Sequence, residues 1–167
     1  IKVIFMGTPD FSVPVLNSLI EESNVIAVVT QQDKRVGRKQ EITQSPVKKI
    51  AIDHKIEVLQ PEKIKGNAEF IQRVKNFEPE LIVVVAYGFI LPQEILDIPK
   101  YGIINIHASL LPKYRGASPI QTAILNGEKE TGVTIMIIDN KMDTGPLLSQ
   151  QTITINNSDN FESLHNK

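Results

Sequence analysis

A doubly wound α/β fold, a mostly parallel sheet flanked by helices, is the class this sequence predicts, and three observations predict it. NVIAVVT (24–30) and ELIVVVA (80–86) are near-continuous β-branched runs, the mark of strands covered on both faces, as in a parallel sheet. DFSVPVLNSLI (10–20) instead spaces Phe11, Val15, Leu16 and Leu19 as one face of a helix. Strand-like and helix-like segments then alternate along the chain, as a sheet built with right-handed crossovers requires.

Taken in order, KVIFM (2–6) is a first strand that stops at Gly7 and leads through a turn into the helix 10–20. The turn MGTPDFSVP lacks the GxGxxG spacing of a dinucleotide fingerprint, so Gly7 is expected to permit close packing. Ser45-Pro46 and Ser118-Pro119 each read as a helix start, the serine accepting from free N–H groups and the proline filling the first position. They open the helices PVKKIAIDH and PIQTAILNG, the second ending at Gly127. NAEFIQRVKNF (67–77) adds a helix, and GIINIH (102–107), TGVTIMIID (131–139) and LLSQQTITI (147–155) add strands. The predicted order is βαβ(α)β(α)βαβαββ. Asp159 and Glu162, ahead of Phe161 and Leu164, resemble one more helix start. A helix that short is marginal in isolation, so the 167 residues are expected to be one domain of a longer chain.

Composition narrows the chemistry. With 41% hydrophobic and 22% charged residues and a net charge of -1, nothing predicts a global attraction to nucleic acid or to an anionic membrane. The absence of cysteine and the presence of only three histidines remove disulfides and thiolate catalysis and argue against a metal site. No apolar run approaches membrane-spanning length, and the first strand begins almost at residue 1. A cytoplasmic monomer that makes no contact with a membrane is the expectation.

INIHASLLPKYR (104–115) carries the main chemical signal. Buried imidazoles and amides are most often structural groups with a backbone partner. Asn105 and His107, however, stand two apart at the end of a strand, so they share a face at the carboxyl edge, where open α/β sheets bind ligands. DNKMDTGPLL (139–148) places Asp139 and Asp143 in the loop after the next strand, again expected at the carboxyl edge, although Asp and Gly are also ordinary turn residues. Asp-Thr-Gly (143–145) is the triplet of aspartic proteases as well, but that chemistry belongs to an all-β fold. DKRVGRK (33–39) sets four basic residues, Lys34, Arg35, Arg38 and Lys39, in a long segment without periodicity, suited to a binding loop for phosphate.

FMGTPDFSVPVL (5–16), GRKQEITQSPVK (37–48), AYGFILP (86–92), NIHASLLPKYRGASPI (105–120) and GVTIMIIDNKMDTGPLL (132–148) together resemble the methionyl-tRNA formyltransferases. The Asn-x-His, Ser-Leu-Leu-Pro and Asp-x-Gly elements are shared across the folate-dependent formyltransferases, with their Rossmann-like fold. The opening and the GR…SPVK loop are more specific. The resemblance implies transfer of a formyl group from 10-formyltetrahydrofolate to the amino group of initiator methionyl-tRNA, releasing tetrahydrofolate, with no metal. It implies a catalytic set of Asn105, His107 and Asp143. Asn105 and His107 would donate to the oxyanion formed when the amine attacks, His107 would protonate the departing folate nitrogen, and Asp143 would orient or charge-balance the imidazole. It places the folate against Tyr87, Phe89, Ile90 and Leu91 and against Ser109, Leu110, Leu111 and Pro112, and the tRNA acceptor end against Arg38 with Lys39 and Arg35. Gln40 and Glu41 stand where the family usually carries further lysines. Tyr114 and Arg115 are open between cleft wall and tRNA contact. Complete members add a C-terminal β-barrel domain that binds tRNA, so the present chain is expected to bind tRNA poorly. Two other readings remain open on the residues: formyl transfer to a UDP-amino sugar, and a non-catalytic folate- or nucleic-acid-binding module on the same fold.

Overall fold

The computed structural model describes residues 1–36 and 40–167. The chain forms two compact units, Ile1–Ile103 and Ile104–Lys167.

In the first unit, β1 (Lys2–Gly7), β2 (Asn24–Val29), β5 (Glu57–Leu59) and β6 (Leu81–Val85) run parallel in the order β5-β2-β1-β6. Val3, Ile4, Phe5 and Met6 of β1 and Ala27, Val28 and Val29 of β2 are wholly buried, which is why both strands read as unbroken apolar runs rather than alternating ones. α1 (Val13–Glu22) packs against α2 (Pro46–Asp53), and α3 (Ala68–Asn76) against α4 (Gln93–Leu96). Both α2 and α3 start as their sequences specify: the Ser45 side chain accepts from Lys48 N–H and the Asn67 side chain from Phe70 N–H, each satisfying an orphan donor of the first turn. Gly7 is the close-packing residue expected of it, because a Cβ there would stand 2.7 Å from Phe5 Cε1 and 2.9 Å from Ser12 Cβ.

The segment after β2 departs from the aperiodic loop of the sequence reading. It forms an antiparallel pair, β3 (Lys34–Val36) and β4 (Glu41–Thr43), with Arg35 opposite Ile42. Strands of three residues are too short for alternation to register. At the foot of this hairpin the Asp33 carboxylate accepts from Lys48 Nζ at 2.7 Å and from Gln60 Nε2 at 2.8 Å. These bonds, the lysine's first, hold the Asp33 carboxyl below its usual pKa. A pKa depressed by folding contributes stability that is complete above the unfolded value and is lost as pH falls through the folded one. Asp33→Asn is therefore expected to lower the thermal midpoint at pH 7, and by progressively less as the pH is brought down towards about 3. A loss of the same size across that range would contradict the assignment.

In the second unit, which takes all of β7 (Ile103–His107) but its first residue, β7, β8 (Glu130–Ile137) and β9 (Leu147–Thr154) follow one another in a sheet, and both pairs are antiparallel. The sequence reading expected α5 (Pro119–Leu125) to carry the chain across to a parallel strand. Instead β8 starts beyond the end of β7 and runs back along it, with His107 opposite Thr134 and Ile104 opposite Ile137. A crossover helix and a helix on a return path have the same amphipathic pattern, so only pairing separates them. Ser118 also departs from expectation: its side chain makes no cap bond, and its carbonyl takes the Thr122 N–H at 3.1 Å and the Thr122 hydroxyl at 2.7 Å. α6 (Phe161–Asn166) exists, but Asn160 rather than Asp159 caps it, in a reciprocal capping box with Ser163. α6 packs on α5. Among the described residues no helix is long and apolar enough to cross a membrane.

Candidate functional site

Asn105, His107 and Asp143 all belong to the second unit. β7 supplies the first two, and as residues i and i+2 of one strand they face the same way. His107 is 7% exposed. Among the described residues the half-buried Asn105 amide takes no hydrogen-bond partner, which leaves its donors free to meet a ligand.

Asp143 reaches His107 by a route the sequence did not reveal. Because β8 is antiparallel to β7, its carboxyl end at Ile137 lies opposite Ile104, three residues before His107, or roughly 10 Å away along the strand. The loop 138–146 doubles back over that distance. Its base is closed by Ile137 N–H donating to Pro146 C=O at 2.9 Å. Gly145 lies so close to the Ile137 carbonyl that a Cβ there would collide with it, which explains a glycine in this triplet without protease chemistry. Asp139 holds the loop from within, its carboxylate accepting from Lys141 N–H and from the Thr144 hydroxyl, both at 2.9 Å. Asp139 is thus a turn residue, and Asp143 is the carboxylate presented to the histidine.

Asp143 Oδ2 stands 3.8 Å from His107 Nδ1, with both side chains largely buried. That spacing is an ion pair when the imidazole is charged and too long for a direct hydrogen bond. The same oxygen accepts from Gly116 N–H at 2.8 Å. Asp143 has φ 51°, a left-handed conformation that aspartate tolerates better than most residues.

The imidazole is oriented from its other side. His107 Nε2 lies 2.9 Å from the Tyr114 carbonyl oxygen, and a carbonyl can only accept, so Nε2 carries the proton and Nδ1 is the nitrogen that exchanges one. Tyr114 is held at φ 57°, a conformation costing of order 1–3 kcal/mol for a bulky residue. Its side chain is tied down at the far end: the hydroxyl donates to Glu128 Oε1 at 2.5 Å and accepts from Asn126 Nδ2 at 3.1 Å. The Tyr114 hydroxyl first, and Lys113 second, hold the Glu128 carboxyl below its usual pKa, so it remains an acceptor at neutral pH. The sequence left Tyr114 between two contact roles, and it is the orienting residue of His107. The signal lay in its backbone, which side-chain motifs do not report. Arg115 is exposed.

The segments expected to meet folate divide between the units. In the first, Tyr87 and Leu91 are buried, while Phe89 and Ile90 are 38% and 79% exposed. The Tyr87 carbonyl accepts from Gln31 Nε2 at 3.0 Å and from the Thr8 hydroxyl at 3.3 Å. Burial pushes its phenol pKa up, and the ring meets Phe89 edge-on with centroids 5.4 Å apart. In the second, Ser109 and Leu111 are buried. Leu110, Pro112, Lys113 and Tyr114, with Glu130 and Thr131, line a cavity of about 210 Å³. Of the expected tRNA-contacting residues, Arg35 is exposed on β3, and Arg38 and Lys39 lie outside the described residues. Among the described residues no group of three or more His, Cys, Asp or Glu could hold a metal ion.

The family model described as formyl transferase matches residues 1–167. The chain belongs to this family. Similar curated relatives of the family are the methionyl-tRNA formyltransferase of Halalkalibacterium halodurans, 58% identical over 99% of this chain and 52% of that relative, and that of Caldanaerobacter subterraneus, 55% identical over 99% and 54%. The chain spans about half the length of the curated relatives it matches. Among solved formyltransferases, the phosphoribosylglycinamide enzyme of Bacillus halodurans superposes with a TM-score of 0.82 at 26% identity, over 99% of this chain and 86% of that one. A formyltetrahydrofolate deformylase of Pseudomonas syringae, at 21% identity and a TM-score of 0.77 over 98% of this chain and 54% of that one, shares the fold. The α/β class read from the sequence is therefore that of the family.

Proposed function

We propose that this chain is the catalytic part of a methionyl-tRNA formyltransferase, moving a formyl group from 10-formyltetrahydrofolate to the amino group of initiator methionyl-tRNA. The observation that carries this reading is the histidine held between two different acceptors, with Nε2 on the Tyr114 carbonyl and Nδ1 3.8 Å from Asp143. Relatives more than 50% identical over nearly the whole chain bear that name, which favours tRNA over an amino sugar as acceptor. The residues of the second unit fit such a donor: among the described residues the Asn105 amide has no hydrogen-bond partner, on the same strand face as His107.

The donor, when bound, supplies an activated formyl carbon. An α-amino group of ordinary pKa is neutral in roughly 10–20% of molecules near pH 7, so only modest help is needed before attack. Asn105 donates to the oxygen that gains charge as the amine adds, a contribution of about 10²–10³ in rate for one such donor. His107 in its imidazolium form, protonated on both ring nitrogens, gives the Nδ1 proton to the nitrogen that leaves the formyl carbon and is left neutral, with its remaining proton on Nε2 against the Tyr114 carbonyl. The amine gives up its proton to Asp143 through water, and the carboxylate balances the imidazolium while it exists. Tyr87, Phe89, Ile90, Leu91, Ser109, Leu110, Leu111 and Pro112 are the proposed folate-contacting residues, and Arg35, Arg38 and Lys39 the proposed tRNA contacts.

Incubating the full-length protein with radiolabelled formyl donor and two acceptors tests the reading. Label on methionyl-tRNA is the expected result. Label on a UDP-amino sugar, or binding of folate without any transfer, would overturn it.

A further inference from the structure

His107, Thr134 and Gln150 stand directly opposite one another on three successive strands, β7, β8 and β9. Directly opposed residues of antiparallel strands share a face, so one row of polar side chains crosses this sheet at the level of the histidine. Thr134 is wholly buried, and a buried hydroxyl is satisfied by a single partner, often a carbonyl of its own strand or helix. This hydroxyl uses its full capacity on a distant segment. It donates to the Ser109 carbonyl at 2.6 Å and accepts from Leu111 N–H at 3.1 Å and from Gln150 Nε2 at 2.9 Å, and one donor with two lone pairs leaves nothing over. Gln150 Nε2 also donates to the Leu111 carbonyl at 2.9 Å. Three backbone groups of the turn 109–112 are thereby fixed by two side chains of neighbouring strands. Just beyond the turn lies the Tyr114 carbonyl that orients His107.

We infer that Thr134, backed by Gln150, is a positioning residue: by holding the Ser109–Leu111 backbone it sets both the folate-contacting turn and the carbonyl that fixes the His107 tautomer. The inference rests on the functional reading above. It explains why a threonine interrupts the apolar run Val133 to Ile138 at this level.

The test compares Thr134→Val, Thr134→Ser and Gln150→Leu in the full-length protein. Valine preserves shape and strands the Leu111 N–H without a partner. Thr134→Val should raise the KM for the formyl donor and lower kcat, reducing kcat/KM at least about tenfold, as small misplacements at reacting centres do. The KM for tRNA should stay unchanged, and hydrogen exchange at the Leu111 amide should accelerate. Thr134→Ser, which keeps the hydroxyl, should restore both readouts. Gln150→Leu removes an exposed partner, spares the fold and should give a smaller rise in donor KM. Wild-type donor KM and Leu111 exchange in Thr134→Val would overturn the inference. So would equal impairment by serine and valine, or a rise in both KM values together. The exchange arm is read without substrate, so it stands even if the wild-type protein transferred no formyl group to tRNA.

Discussion

His107→Asn is expected to lower kcat for formyl transfer by about 10²–10⁴, the range for loss of a positioned acid–base group, with the KM for the formyl donor little changed. The expectation follows from the division of labour around the ring. Nε2 is engaged by a backbone carbonyl 2.9 Å away, so Nδ1 is the nitrogen left for chemistry, and it faces a carboxylate rather than a hydrophobic wall. Asparagine keeps a polar amide at the end of β7 but carries no proton that it can exchange near neutral pH. Loss in kcat alone marks an interaction made in the transition state and not in the ground state. Single-turnover transfer with donor and methionyl-tRNA both saturating reads the chemical step. A rate within threefold of wild type would remove His107 from the mechanism.

The second large effect is expected from Asp143→Asn. Two unit charges 3.8 Å apart attract by about 4 kcal/mol at an effective dielectric near 20. Losing that support for the imidazolium lowers kcat by about 10²–10³, at 1.36 kcal/mol per factor of ten. The amide oxygen of asparagine still accepts from Gly116 N–H, which now bonds to Asp143 Oδ2, so the loop 138–146 should keep its place and the thermal midpoint should barely move. An inactive variant with a collapsed midpoint would assign Asp143 to folding instead, and a fully active one would remove the charge from the mechanism.

The parts of this molecule that were legible in its sequence are those whose signal is a side-chain pattern. β1, β2 and β6 declared themselves as apolar runs because each is buried on both faces. α2 declared its start because Ser45 and Pro46 each solve the problem of unsatisfied N–H groups at a helix start. The parts that were hidden depend on pairing between distant strands. That β8 returns antiparallel to β7 follows from register alone, and nothing in the amphipathic pattern of α5 distinguishes the two directions. The sequence therefore placed Asp143 at the carboxyl edge for a reason that does not hold. The carboxylate reaches His107 because the loop folds back, with Gly145 pressed against the Ile137 carbonyl.

The site divides in the same way. Asn105, His107 and Asp143 stand out as polar groups set in apolar or turn surroundings, and two of the three meet at 3.8 Å. What surrounds them was not visible. The partner of Nε2 is a main-chain carbonyl, and every residue has one, so no residue type marks it. Thr134 and Gln150 act on the backbone of residues 109–111 from two later strands, and in the sequence they pass for an ordinary strand threonine and a surface glutamine. The Asp33 bracket with Lys48 and Gln60 is similarly spread over three separate segments of the first unit.

Everything proposed for the reaction turns on which imidazole nitrogen is bare when the histidine is neutral. Long-range ¹H–¹⁵N correlation spectra of the full-length protein, labelled at histidine and recorded at alkaline pH, resolve this for His107. The arrangement described here predicts a proton on Nε2, shared with the Tyr114 carbonyl, and a bare Nδ1 facing Asp143. A spectrum with the proton on Nδ1 and a bare Nε2 would contradict it.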